Sequence, residues 1–276
     1  MENNELQKHA LNVRRNIIEM VYAAQSGHPG GSLGSADILT FLYFEEMNIN
    51  KDNMDSKNRD RFVLSKGHCS PGLYGVLTEK GLINEDIKTF RQLNSKLQGH
   101  PSVTYLEGID MSTGSLGQGV SASVGMAIAN KIDKNDNRVY TLLGDGECEE
   151  GIVWEAMMAA CHYKLDNLVI IIDNNNLQID GNVQDVIGPL PLKEKAQAFG
   201  ANTIECDGND FDSIRAAFKN ARETKGLPSV IIAHTVKGKG VSYMENECGW
   251  HGKAPNADEY KIAMEDLKEV NDGTRD

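Results

Sequence analysis

Residues 139–181 read VYTLLGDGECEEGIVWEAMMAACHYKLDNLVIIIDNNNLQIDG, and the order of apolar and polar blocks within them decides the fold. The run Val139 to Leu143 delivers Gly144-Asp145-Gly146; a helical stretch, Ile152 to Tyr163, follows; a second run, Leu168 to Ile172, delivers Asp173-Asn174-Asn175-Asn176. Two short apolar runs separated by one helix make a βαβ unit. In an open parallel sheet ligands bind outside the carboxyl ends of the strands, so Asp145 and the Asn cluster are expected to meet there. Carboxylate, amide and backbone carbonyl oxygens form a hard donor set, which suits Mg2+ completed by phosphate oxygens, whereas zinc would draw His and Cys. Gly144 and Gly146 let the backbone approach a diphosphate, and a helix opening near Gly151 offers its free amides to the same anion. The plainer alternative is that Asp145 and the asparagines only cap a helix and shape a turn.

Outward from this unit, the chain of 276 residues is long enough for one large α/β domain or two small ones, and no Pro/Ser-rich linker divides it. We expect a single domain over 1–276, built as a doubly wound, mostly parallel sheet flanked by helices, with about 257–276 as a solvated terminal helix and tail. The formal net charge of -12 argues against a general nucleic-acid surface, so an anionic ligand needs local cations. Lys66, Lys237, Lys239 and Lys253 each sit beside a glycine and are candidates, against the plain reading of solvated surface lysines. Five cysteines, odd in number and without CxxC spacing, suggest neither a disulfide framework nor a zinc site. Residues 1–20 lack the basic start and apolar core of a signal peptide, and no run reaches membrane-spanning length. A cytoplasmic protein with reduced thiols is expected.

Towards the N-terminus, Ala10, Val13, Ile17, Met20, Val21 and Ala24 recur at helical spacing and predict an amphipathic helix over 5–25, stopped by Ser26-Gly27-His28-Pro29-Gly30-Gly31. Ser35 is placed to cap a helix running through Met47, a strand is expected over 61–64, and helices over 72–80 and 84–93. His28, His68 and His100 each follow a glycine on a loop, and Trp250-His251-Gly252 adds a fourth such imidazole. Imidazoles so presented can donate to hydroxyls, carbonyls and phosphates and move protons near neutral pH. His9, His162 and His234 have no such setting and are taken as structural. Gly114-Ser115-Leu116-Gly117-Gln118-Gly119 opens a helix of small residues over 120–131, fit for close packing or for cradling a phosphate or flat ring. Beyond the central unit, a helix over 192–199, a strand over 202–206, a helix over 211–224 and a strand over 229–233 continue the alternation.

Taken in order, SGHPGGSLGSADIL, SKGHCSPGLYGVL, GHP, STGSLGQGVSASVGMAIA, GDGECEEG, DNNNLQIDG, TVKGKG and WHGK resemble the N-terminal, diphosphate-binding domain of the transketolase family, over about residues 5–265. The resemblance implies thiamine diphosphate held through Mg2+, for which Ca2+ or Mn2+ can substitute, with Asp145, Asn175 and the Leu177 carbonyl as metal ligands. It implies that Gly146 and His68 contact the diphosphate, that Gly114, Ser115 and Leu116 lie beside the aminopyrimidine, and that Lys237 lies near the cofactor. It makes His28, His100 and His251 the imidazoles that handle substrate hydroxyls, the donor carbonyl oxygen and proton transfer, and Glu150 an acid at a subunit interface. The implied reaction moves a two-carbon ketol unit from a ketose phosphate to an aldose phosphate, ordinary pentose phosphates being the default.

The resemblance stops where a transketolase continues into a pyrimidine-binding domain, which carries the cofactor-activating Glu and most of the sugar-phosphate contacts. A separately encoded C-terminal subunit is therefore expected to supply it, within an assembly containing two copies of each chain. Two other readings stand beside this one: the α subunit of a 2-oxo acid dehydrogenase, together with related synthases, and a non-catalytic cofactor-binding paralogue.

Overall fold

The computed structural model describes residues 1–268. Among them the strands are β1 (Arg61–Leu64), β2 (Val139–Gly144), β3 (Leu168–Asn174), the two-residue β4 (Leu177–Gln178) and β5 (Gly181–Asn182), β6 (Asn202–Asp207) and β7 (Ser229–His234). β4 and β5 form a small antiparallel hairpin, and the other five form one parallel sheet in the order β1-β2-β3-β7-β6. The α-helices are α1 (Asn3–Ala24), α2 (Pro29–Gly34), α3 (Ala36–Phe41), α4 (Ser70–Glu79), α5 (Gln118–Ile132), α6 (Gly151–His162), α7 (Val183–Val186), α8 (Leu192–Phe199), α9 (Phe211–Glu223) and α10 (Ala257–Asp266).

Strand alternation divides the interior in two, because successive side chains point to opposite faces. Tyr140, Leu142, Val169, Ile171, Ile231 and Ala233 face the core built with α1, α3, α4 and α9. Val139, Leu143, Leu168, Ile170, Ile172, Val230 and Ile232 face the core built with α5, α6 and α8. Burial on both faces explains why these strands read as continuous apolar runs, and it makes the fold the doubly wound α/β sheet expected. The β2–β3 register, Val139↔Leu168 through Gly144↔Asp173, brings Asp145 level with the start of the Asn cluster.

Several local expectations are corrected. No α-helix spans 84–93: Asp86 caps a single 3-10 turn, Ile87–Thr89, and Arg91 and Asn94 then adopt left-handed backbone, with φ of 58° and 65°. Ser35 stands at the N-cap of α3, but its hydroxyl donates back to the Gly31 carbonyl at 2.7 Å and caps nothing. That helix yields at Leu42–Glu46 to a π-helical turn. Pro29–Gly34 winds into α2 where an open loop was expected. α10 is less solvated than expected, since Ala263 and the following Leu267 are fully buried; the part of the expected tail at 269–276 lies outside the described residues. Gly119 explains how α5 reaches the end of β1, because a Cβ there would lie 2.6 Å from Ser65 Cα. Gly125 on the same helix faces open space.

One polar clamp holds β1 in place. Buried Arg59 makes a bidentate pair with Asp110 at 2.8 and 3.0 Å, and Asp110 also accepts from Arg61 Nη1 at 3.0 Å and from the Phe62 amide at 2.9 Å. It thereby ties the segment that leads to Gly114 onto the strand that leads to His68. Asp110→Ala leaves a buried guanidinium unpaired, and we expect a loss of about 3–5 kcal/mol, read as a lowered urea midpoint. Asp110→Asn, which keeps the amide contact, should lose less.

Candidate functional site

Four parallel strands end on one side of the sheet, and the residues after each end line a cavity of about 430 Å³. β1 supplies Lys66 and His68, β2 supplies Asp145 and Gly146, β3 supplies Asp173 and Asn175, and β7 leads to Lys237. His28, Gly114, Leu116, Glu150 and His251 come in from the connecting segments, and Leu177 from the β4–β5 hairpin.

Its floor is a buried ion pair. Lys66 and Asp173 are 1% and 0% exposed, and the ammonium also donates to the Gly31 carbonyl at 3.2 Å. Burial alone lowers the pKa of Lys66, but Asp173 more than reverses this and holds the amine protonated. Asp173 further accepts from Thr235 Oγ1 and, at 3.2 Å, from Asn175 Nδ2. With its NH2 committed there, Asn175 presents Oδ1 to the Leu177 amide at 3.1 Å.

Asp145 is 2% exposed, and its oxygens accept from Gly146 N at 2.8 Å and Asn176 N at 2.5 Å. Burial and the neighbouring Asp173 still raise its pKa to about 6. Lys237, also buried, donates to the Leu177 carbonyl at 2.9 Å and lies 3.0 Å from His251 Nδ1. An ammonium has no acceptor to offer, so a protonated Lys237 fixes the Nε2–H tautomer of His251.

Three of the four expected imidazoles come together. The His28, His68 and His251 rings lie 5.0 to 5.4 Å apart between centroids. Burial, reinforced by Lys66 and Lys237, lowers His68 to about 3; burial and Lys237 bring His251 to about 3; burial and the neighbouring His68 bring His28 to about 4. All three are neutral at physiological pH. His100 stands outside the cavity, with its ring against Gly114, where a Cβ would approach it to 3.2 Å. Ser115 is exposed and likewise not among the cavity residues, while Glu150 lies exposed on the rim. His9 pairs with Glu79 at 2.8 Å, His162 packs on Tyr163, and His234 reaches Glu205 at 3.3 Å, all outside the cavity lining.

Sequence reasoning missed Glu147 altogether. It is 3% exposed and accepts from Ser65 Oγ at 2.5 Å, Gly117 N at 2.7 Å and Gly144 N at 3.1 Å, so one carboxylate fixes three loops around the cavity. Nothing in its local sequence distinguishes it from Glu149. Of the four glycine-flanked lysines, Lys66 and Lys237 are buried in the site, whereas Lys239 and Lys253 pair with Glu245 and Glu259 at the surface.

The neutral imidazoles carry a stability consequence. Between the folded values and about 6.5 the unfolded chain binds more protons, so stability is full above pH 6.5 and falls as the pH drops towards 4. Urea unfolding at pH 7, 6 and 5 should show this decline, and His28→Asn should flatten it by up to about 1.4 kcal/mol per pH unit. An unchanged slope would contradict the burial of a neutral His28.

Comparison with known proteins agrees with this geometry. The family model described as "Transketolase, thiamine diphosphate binding domain" matches residues 6–269. The chain is 44% identical over 257 residues to a subunit of the apulose-4-phosphate transketolase of Phocaeicola vulgatus, covering 93% of this chain and 91% of that protein. It is 40% identical over 265 residues to 6-deoxy-6-sulfo-D-fructose transketolase subunit SqwG of a Clostridium species, covering 96% of each. Against human transketolase it is 42% identical over 254 residues, but spans only 39% of that protein. The transketolase structure from Campylobacter jejuni superposes with a TM-score of 0.91 at 38% identity, over 97% of this chain and 43% of that one. By this match along nearly its whole length, the chain belongs to the transketolase family, in the part described as the thiamine diphosphate binding domain.

Proposed function

We propose that this chain holds thiamine diphosphate through Mg2+ and serves as the diphosphate-binding subunit of an enzyme that moves a two-carbon ketol unit from a ketose phosphate to an aldose phosphate. The observation that carries the reading is the convergence of Asp145, the Asn175 amide, the Leu177 carbonyl and three neutral imidazoles in one cavity at four strand ends. The subunit-type relatives, which this chain matches nearly end to end, support it.

The residues fit both groups. A desolvated carboxylate with a raised pKa gains from a cation, and each carboxylate or carbonyl oxygen here retains a lone pair beyond its internal donor. The set is oxygen only, as Mg2+ prefers. Buried Lys66 and Lys237 place two cations beside the carboxylates, where diphosphate oxygens would lie. Thiamine diphosphate, when bound, supplies the electron sink for cleaving the carbon–carbon bond.

This chain's own groups do the rest. Asp145, Asn175 and the Leu177 carbonyl hold the cation, and His68 with Gly146 faces the diphosphate. His251, as the Nε2–H tautomer, can donate to a substrate oxygen that gains charge. His28 lines the cavity as a neutral ring and can exchange a hydroxyl proton there. Neutral rings can both give and take protons, which imidazolium cannot. His100, at the mouth, is placed to meet the part of the substrate farther from the diphosphate.

We further propose a second subunit that covers the open side, with Glu150 on the rim towards it, in an assembly with two copies of each chain. The relatives named for apulose-4-phosphate and for 6-deoxy-6-sulfo-D-fructose support a ketose with an anionic terminus as the substrate class.

Calorimetry with Mg2+ and thiamine diphosphate tests the site: Asp145→Ala should weaken cofactor binding by more than about 100-fold, beyond what outer-shell changes cause. Undiminished binding would overturn the assignment. With the partner subunit present, xylulose 5-phosphate and ribose 5-phosphate should exchange a two-carbon unit while pyruvate with lipoamide does not react. The reverse outcome would favour a 2-oxo acid dehydrogenase subunit.

A further inference from the structure

Between the turn that carries His28 and the turn that carries His100 lies Arg91, which the proposed reaction leaves unused. Its backbone is left-handed, at φ 58°, a conformation that costs a non-glycine residue about 1–3 kcal/mol and persists only where surroundings enforce it. Its amide donates to the Leu97 carbonyl at 2.9 Å, which closes the loop in this shape. The side chain then reaches two ways. Nη1 donates to Ser26 Oγ at 3.1 Å, two residues before His28. The guanidinium plane lies against Gly99, where a Cβ would sit 2.9 Å from Cζ and Nε and 3.0 Å from Nη2, one residue before His100. The preceding Phe90 ring packs beside Gly27, where a Cβ would meet Cε1 at 3.2 Å.

Arg91 lacks a counter-charge, as Arg15 does among the described residues, and what sets it apart is its place between the two histidine turns. The guanidiniums of Arg14 and Arg59 are each bidentate on a carboxylate, Asp37 and Asp110. Among the described residues Arg91 has no carboxylate within 4 Å, in a chain where Asp and Glu number 40 against 28 Lys and Arg, and its Nε is buried without a partner. We propose that Arg91 is a positioning residue of the ketol-transfer site: it clamps the Ser26–His28 turn to the Gly99–Pro101 turn, and its uncompensated charge acts on both imidazoles.

The inference rests on the function proposed above and adds to it a group that orients the two outer histidines. The electrostatics run in one direction. After burial, the charges that lower His28 are His68, Arg91, His100 and Lys237, with the His251 ring 5.4 Å away; those that lower His100 are Arg91 and His68. Tyr74, the other titratable group beside Arg91, donates its hydroxyl to the Gln98 carbonyl at 3.0 Å. Lysine cannot replace the planar group, because only a flat fork both lies on Gly99 and reaches Ser26.

Two measurements test this. In the first, carbon-13-labelled histidine in the isolated chain is titrated by NMR. Arg91→Met should move the His28 and His100 midpoints upward; Arg91→Lys should leave both near wild type. In the second, ketol transfer from xylulose 5-phosphate to ribose 5-phosphate is followed with the partner subunit present. Both Arg91→Met and Arg91→Lys should lower kcat/KM by roughly 10- to 100-fold, as a misplaced catalytic group does. Only Arg91→Met should also shift the acid limb to higher pH. Gly99→Ala should cost a comparable factor alone, yet almost nothing when added to Arg91→Ala, since the clash needs the guanidinium. Unmoved His28 and His100 midpoints, or Gly99 and Arg91 effects that simply multiply, would overturn the inference while leaving the function proposal intact. Shifted midpoints in a wild-type complex that transfers no ketol unit would instead overturn the function proposal, and with it the role given to Arg91 in that reaction.

Discussion

The buried pair of Lys66 and Asp173 is the constraint on which the rest of the site depends. It joins the loop after β1 to the end of β3 across the end of β2, and through Gly31 and Thr235 it also holds α2 and the segment after β7. Removing one member of such a pair would strand a charge in the interior at a cost of about 3–5 kcal/mol, whereas two apolar residues could fill the same space without that risk. The pair therefore makes more sense as an orienting device than as a source of stability. Asp173 takes the NH2 of Asn175, which leaves only the amide oxygen to face the proposed cation. A flipped Asn175 would turn a donor towards that cation.

Glu147 applies the same logic one layer away. Its three donors come from the loop after β1, the turn opening α5 and the end of β2, so the glycine-rich 114–117 segment is pinned to the diphosphate end of the site by a single carboxylate. Close packing then leaves room only for glycine at Gly119, against Ser65, and at Gly67, where a Cβ would fall 2.6 Å from Thr113 Oγ1 and 2.8 Å from the Gly114 amide. Small residues and buried charges in this region are two sides of one requirement: loops from distant parts of the chain must meet at near-contact distance with their shared carboxylate satisfied.

How much of this is legible in the sequence follows from the range of the interactions. The central strands β2, β3 and β7 are legible because burial on both faces leaves an apolar run in the sequence itself, and Asp145 and Asn175 stand out because they follow such runs. The false helix over 84–93 arises because Ile87, Phe90 and Leu93 imitate helical spacing; Phe90 is fully buried but Leu93 is 93% exposed, and the backbone reverses hand between them. Lys66 and Asp173 lie 107 positions apart, and Ser65 and Glu147 lie 82 apart, so no local pattern records either contact. His100 illustrates the intermediate case. Its Gly-His-Pro setting rightly suggests an exposed turn, but only the fold shows that this turn lies at the mouth, outside the cavity that holds the other three rings.

The electrostatic arrangement that results is incomplete on its own. Asp145 is kept in a low-dielectric site beside another carboxylate, which raises its pKa despite two backbone donors, so its ionised form improves when a cation arrives. Burial, reinforced by Lys66 and Lys237, suppresses the charging of His68 and His251, so these rings stay neutral. In the function proposed above, a divalent cation would be held by Asp145 and Asn175, and the diphosphate it carries would lie within reach of the lysines. Lys66 is already paired with Asp173, so of these four buried groups Asp145 and Lys237 are left without an ionic partner among the described residues. A ligand that brings both charges is thus proposed from the chain's own buried groups before any substrate is considered.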